Sequence, residues 1–152
     1  MELIPNWVPS GYKTVNVYLV VKDAEKALRF YNDVFDAETL MTLKAPDGKI
    51  VHAEFKVFDT IIMLTNEDDN NKSPTVGGQS SVIIHLYVGD AEEIYSRAVD
   101  AGCEVIDPLA DQFYGDKAGR VKDPFGHSWI IARHLETLSP DEMQKRFMDM
   151  YK

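Results

Sequence analysis

The stretch DQFYGDKAGRVKDPFGHSW, Asp111 to Trp129, closes the second half of a chain that is built twice. Its last part, Asp123-Pro124-Phe125-Gly126, has turn chemistry, because Pro presets φ and Gly supplies a positive φ. Strand-like runs flank it, Gly119 to Lys122 and His127 to Arg133, so a hairpin is expected. The first half carries a matching hairpin, Ile50 to Val57 followed by Thr60 to Leu64.

Upstream of each hairpin the same pattern recurs. Thr14 to Val21 is β-branched, apolar and alternating, which predicts a strand with one face buried. Asp23 is placed to cap a helix over Ala24 to Phe35, whose apolar positions fall on one stripe. A strand near Glu38 to Ala45 and the turn Pro46-Asp47-Gly48 lead into the hairpin. Ser81 to Val88 repeats the strand, Asp90 repeats the cap, and a helix over Ala91 to Ala101 ends at Gly102. Asp90 lies 67 residues after Asp23 (90 − 23 = 67), and that offset maps Val15, Val17, Leu19 and Val21 onto Val82, Ile84, Leu86 and Val88. Two βαβββ modules are the organising unit. They predict an α+β fold of one domain: module one about 13–66, linker about 67–79, module two about 80–135. Ser139-Pro140-Asp141-Glu142 then opens a tail helix to about residue 150. The lead-in, residues 1–12, is broken by Pro5, Pro9 and Gly11.

Composition narrows the function classes. The chain has 152 residues and a formal net charge of −9, which argues against a reader of nucleic-acid backbones and against anionic membrane surfaces. No apolar run reaches the roughly 20 residues that a membrane span needs. Cys103 is the one cysteine, so an intrachain disulfide is impossible and a cytoplasmic setting fits.

One face of each sheet must pack on its helix, and two half-sheets would enclose a cavity with their other faces. Strand parity assigns that open face Asn16, Tyr18 and Val20 in the first module, with His52, Glu54 and Lys56 from its hairpin. In the second module it assigns Ile83, His85 and Tyr87. The expected ligand contacts are Tyr18, His52, Glu54, His85 and Tyr87, with Phe113 and Tyr114 as an aromatic wall and Arg120 as an anion holder. Asp116, Lys117 and Arg120 are placed in a loop, where they either close the mouth of the cavity or pair charges to fix the hairpin. His52 and Glu54 either hydrogen-bond each other as cavity liners or do acid–base work. His127 is expected to bond loop backbone, His134 to be solvated, Trp129 to pack in the core, and Cys103 to be no nucleophile.

The paired modules resemble the vicinal oxygen chelate superfamily, and within it the PhnB-like glyoxalase/bleomycin resistance branch. The similar stretches are Pro9-Ser10-Gly11-Tyr12, Phe30-Tyr31, Phe35-Asp36-Ala37-Glu38, His52-Ala53-Glu54, Asp111 to Asp116, and Asp123 to Trp129. Two departures are Asp36, where Gly is commoner, and Lys117, where Arg is. The resemblance implies an open barrel-like sheet with a central cavity and a homodimer. It also implies that metal-dependent members would hold their ion at Asn16, Met63, Ile83 and Ile130. Met and two Ile offer no ligand for a hard divalent ion, so no metal cofactor is expected there. The functional expectation is a binding protein for a small molecule. The alternative is a glyoxalase-like lyase or isomerase, or a dioxygenase, with Zn, Ni, Mn or Fe relocated to His52, Glu54 and His85, or to His127.

Overall fold

The computed structural model describes residues 7–74 and 78–152, so residues 1–6 of the lead-in and 75–77 of the linker lie outside the described residues. The chain divides into two compact units, Met1–Thr75 and Val76–Lys152. The first contains β1 (Tyr18–Val21), α1 (Ala24–Phe35), β2 (Glu38–Lys44), β3 (Ile50–Val57) and β4 (Thr60–Asn66). The second contains β5 (Ile83–Tyr87), α2 (Ala91–Asp100), β6 (Glu104–Asp111), β7 (Asp116–Lys122), β8 (Ser128–His134) and α3 (Pro140–Asp149).

The sheets run β1-β4-β3-β2 and β5-β8-β7-β6. The outer pairs β1/β4 and β5/β8 are parallel and the rest antiparallel, so both sheets are mixed. The repeat holds at the level of register: Tyr18 pairs with Met63 and His85 pairs with Ile130, a shift of 67 on each side (85 − 18 and 130 − 63). The α+β fold with two βαβββ modules is as the sequence predicts. Each module forms its own four-stranded sheet.

Within the first unit, α1 covers the face that carries Leu19, Val21, Ala53, Phe55, Val57, Ile62 and Leu64, all buried. Tyr31 of α1 is the centre of that core, stacked on Phe35 at 6.1 Å and on Phe55 at 5.2 Å. A fully buried aromatic of this kind stabilises by about 2–3 kcal/mol. Asp23 caps α1 by accepting from Lys26 N at 3.1 Å. Asp36 ends it in the left-handed region at φ 53, which explains why Gly suits that position. In the second unit, Trp129, Val121 and Ile131 face Ala91, Ile94 and Ala98 of α2 in the equivalent core.

Several expectations need correction. Thr14 to Val17 is not strand. Asn16 instead folds its amide onto Lys13, accepting from the Lys13 N–H at 3.0 Å and donating to the Lys13 carbonyl at 2.6 Å, and β1 begins only at Tyr18. Such a local side-chain loop satisfies the backbone in place of a ladder. Val15 is accordingly 86% exposed and not on the helix side, and its repeat partner Val82, before β5, is 65% exposed. Asp90 precedes α2 but makes no side-chain cap bond, because φ −103 and ψ 50 turn it away from the extended geometry that capping needs. Asp116 to Arg120 is not a loop but the first part of β7.

Candidate functional site

The face of each sheet opposite its helix carries the polar and aromatic side chains. In the first unit one row runs across three register pairs, from Tyr18 to Met63, Met63 to Glu54, and Glu54 to Met41. His52 stands beside it, two residues from Glu54 on the same face of β3. Alternation along β3 puts Ala53 and Phe55 in the core and leaves His52 and Glu54 half-buried on the other side.

These groups form a chain of hydrogen bonds. His52 Nε2 lies 3.2 Å from Glu54 Oε1, and His52 Nδ1 lies 3.1 Å from the Tyr18 hydroxyl. A carboxylate can only accept, so Nε2 carries a proton, and in the neutral ring Nδ1 accepts from Tyr18. Both ring nitrogens are thereby committed. Tyr12 closes the far end. The turn Pro9-Ser10-Gly11-Tyr12, with Tyr12 N donating to Pro9 O at 3.1 Å and Gly11 at φ +86, lays it against this face. The positive φ favours glycine there, and a Cβ would also stand 2.8 Å from Ile61 Cδ1, which would have to shift. The Tyr12 hydroxyl is buried without a partner of good hydrogen-bond geometry, but Glu54 is the carboxylate beside it. Burial first, and then that carboxylate, pushes the phenol up to about 12. In return Tyr12, and after it His52, holds Glu54 below its ordinary range despite partial burial.

The second unit builds a different network on the equivalent face. Gly115 bends at φ +97, where a Cβ would fall 2.3 Å from the Glu136 carbonyl oxygen. Its own carbonyl accepts from Leu135 and Glu136 N–H, which fixes the start of β7. Asp116 is therefore buried, only 2% exposed. It accepts from the Tyr87 hydroxyl at 2.7 Å and from His134 Nδ1 at 2.7 Å, while His134 Nε2 meets the Thr137 hydroxyl at 2.8 Å. Burial raises the Asp116 carboxyl, but the bonds from Tyr87 and His134 outweigh it and the net shift is downward. Tyr87 in turn is raised, first by its bond to Asp116. His85 lies over Tyr87 with ring centroids 4.5 Å apart.

Beside this network is a cleft of about 380 Å³ lined by Asp107, Gln112, Tyr114, Arg120 and Ile130. Phe113 stands edge-on to Tyr114 at 5.2 Å and also touches Phe147 of α3 at 5.5 Å. Arg146 of α3 donates to the Phe113 carbonyl at 3.3 Å and to Glu136 at 2.7 Å, so the tail helix is tethered to the aromatic wall.

Within the first unit Tyr18, His52 and Glu54 share one face; within the second, His85 stacks on Tyr87, and Tyr114 and Arg120 line the cleft beside Phe113. His134 departs from expectation. It is not merely solvated, because both ring nitrogens are engaged. Lys117 pairs with Glu92 of α2 at 3.3 Å, so it braces the strand against the helix. The roles of Tyr12 and Asp116 were missed. Their signal lay in the PSGY and YGD stretches, where a glycine stands immediately before a polar residue. His127 is 7% exposed, and its backbone closes the Asp123 turn through N–H to Asp123 Oδ1 at 3.0 Å. Trp129 is fully buried, with its indole N–H donating to Asp123 Oδ2 at 2.9 Å. Burial, then Asp123, pushes the Cys103 thiol up to about 12, which leaves it unreactive at neutral pH.

The implied metal positions are also legible. Asn16 is spent on Lys13, and Met63, Ile83 and Ile130 offer no oxygen or nitrogen ligand. Among the described residues, no group of three or more His, Cys, Asp or Glu is gathered to hold an ion.

Sequence comparison carries the family. The Glyoxalase/Bleomycin resistance protein/Dioxygenase superfamily profile matches residues 13–131. The chain belongs to this superfamily. An uncharacterized protein of Mycobacterium bovis, Mb0911c, is 38% identical over 132 residues, which cover 84% of this chain and 87% of that protein. Among solved structures, TioX from Micromonospora sp. ML1 is 28% identical with a TM-score of 0.66, covering 81% of this chain and 99% of its own. The fosfomycin resistance protein FosX of Listeria monocytogenes, solved with Mn(II) and sulfate, shares the fold at TM-score 0.60 and 18% identity, covering 89% of this chain and 97% of its own. A structure that shares this fold has thus been solved with Mn(II) bound.

Proposed function

We propose that the protein binds a small organic molecule on the open faces of its sheets without a metal ion, and that it is a PhnB-like member of the superfamily acting by binding and not by turnover. The observation that carries this reading is His52. Its two nitrogens are bonded to Tyr18 and Glu54, so the best-placed imidazole has no lone pair free for an ion. Aromatic and polar liners in small number are what a small-molecule site requires. A homodimer, a single-domain organisation and a cytoplasmic setting belong to the same proposal and rest on the resemblance and the composition.

A second reading is supported by one feature. The hydrogen-bonded His52–Glu54 pair could serve as a general base beside a relocated ion in a lyase, isomerase or dioxygenase. A thermal-shift screen of a chemically diverse small-molecule library separates the two. Ligands that stabilise chelator-treated protein as strongly as protein supplemented with Mn or Zn support the metal-free binder. Stabilisation that appears only with the ion refutes it.

A further inference from the structure

Glu54 and Arg120 occupy the same place in the repeat. Each sits on the third strand of its module, paired in register with the residue of the last strand, Met63 in one unit and Ile130 in the other. The two slots carry opposite charges and are treated differently. Glu54 is answered by its own unit, through His52 and Tyr12. Arg120 is not. Its Nη2 donates to Ser128 Oγ at a long 3.3 Å, its Nε is buried with no hydrogen-bond partner, and among the described residues it has no ion pair. Nη1 makes no hydrogen bond to a described residue.

A guanidinium with an orphan buried N–H and unused terminal donors is costly for a protein to keep unless something else completes it. Its planar fork matches a carboxylate, which can accept two parallel N–H bonds. The cleft wall narrows the class further. Asp107 is the register partner of Arg120 on β6 and lines the same cleft. A second negative charge there disfavours a dianion such as phosphate, and it welcomes a hydroxyl or amino donor next to a single carboxylate. Gln112 spends its amide N–H groups on the carbonyls of Ala110 and Ala118, which keeps its side-chain oxygen as a further acceptor.

We propose that the Arg120 cleft binds a small carboxylic acid, with the carboxylate on the guanidinium and an adjacent hydroxyl or amino group turned to Asp107. This rests on the ligand-binding reading above and names its chemistry. The probe is the Arg120 Nε–H signal in the NMR spectrum of nitrogen-labelled protein, assigned by its loss in Arg120→Lys. L-Lactate should shift it saturably, at about tenfold lower concentration than acetate, which lacks the donor. Lactamide, which keeps the hydroxyl but has no charge, should leave it in place, and inorganic phosphate should bind more weakly than lactate. Asp107→Asn should narrow the gap between lactate and acetate and strengthen phosphate. Arg120→Lys keeps the charge, and with its unfolding midpoint unchanged it should lose the lactate response measured at neighbouring amides. A still Arg120 signal throughout the titration, an equal shift with lactamide, or a preference for phosphate would overturn the assignment. So would a library ligand that binds metal-free protein without moving the Arg120 signal, an outcome that leaves the binding function intact. Ion-dependent binding in the screen would instead remove that function and leave the lactate response untouched.

Discussion

Asp123→Ala is the perturbation whose size follows most directly from the structure. Asp123 is 2% exposed and accepts from Phe125 N at 2.9 Å, His127 N at 3.0 Å and Trp129 Nε1 at 2.9 Å. Truncation removes the acceptor that each of these donors has in Asp123. Phe125 is half-buried and its N–H can turn to water, but His127 and Trp129 are buried and theirs cannot. Each orphaned buried donor costs about 1–3 kcal/mol, so two of them give about 4 kcal/mol. That is a large share of the roughly 5–15 kcal/mol that holds a domain together. Asp123→Asn keeps one oxygen for the backbone donors and loses only the indole bond, so it should cost about 2 kcal/mol. Urea unfolding followed by tryptophan fluorescence measures both, because Trp129 is fully buried and the other tryptophan, Trp7, is 79% exposed. The midpoint should fall in the order wild type, Asn, Ala, with the urea dependence unchanged. A loss under about 1 kcal/mol for Ala, or equal losses for Asn and Ala, would refute the claim that this carboxylate organises the DPFGHSW turn.

Three further outcomes are expected. Asp116 is depressed in the folded state, so the stability it contributes is present above its unfolded value near about 3.9 and is lost as pH falls through the lower folded value. Acid unfolding of Asp116→Asn, already weakened at neutral pH, should therefore show a smaller further loss below about pH 4 than the wild type. Tyr12 is raised to about 12, so its phenol should ionise after the exposed tyrosines in a phenolate absorbance titration, and Glu54→Gln should bring it down. Because the folded value is the higher one, any stability from neutral Tyr12 is present below the unfolded value near about 10 and is lost as pH rises through the folded one. Asp36→Gly should stabilise by roughly 1 kcal/mol in the same urea assay, since φ 53 strains a side chain there.

Much of the fold was legible because the periodicities repeat. The 67-residue shift read from Asp23 and Asp90 reappears in the register of β1/β4 and β5/β8, and strand parity placed His52, Glu54, His85 and Tyr87 on the open faces. Strand ends were less legible. Nothing in TVNVYLVV announces that Asn16 will fold back on Lys13, because a polar residue in an alternating run looks the same whether it bonds locally or points inward. The open-face positions were legible by strand parity, but the networks they form were not. Asp116 and His134 are 18 apart in sequence and meet only because β7 and β8 pair antiparallel, with Asp116 opposite His134. Tyr12 was quoted only as part of a turn, since its burial against Glu54 depends on where Gly11 lets that turn sit. Pro108 also hides β6 from a pattern reading, and an edge strand is where a sheet tolerates it.

The most direct test of the central claim is the metal content of purified, tag-free protein, measured by mass spectrometry after exposure to Zn, Ni, Mn and Fe(II) and desalting. With both nitrogens of His52 committed and Asn16 turned onto Lys13, retention should stay far below one ion per chain and should not change in His52→Ala. Near-stoichiometric retention that is lost in His52→Ala or Glu54→Ala would contradict the account and identify a relocated catalytic centre.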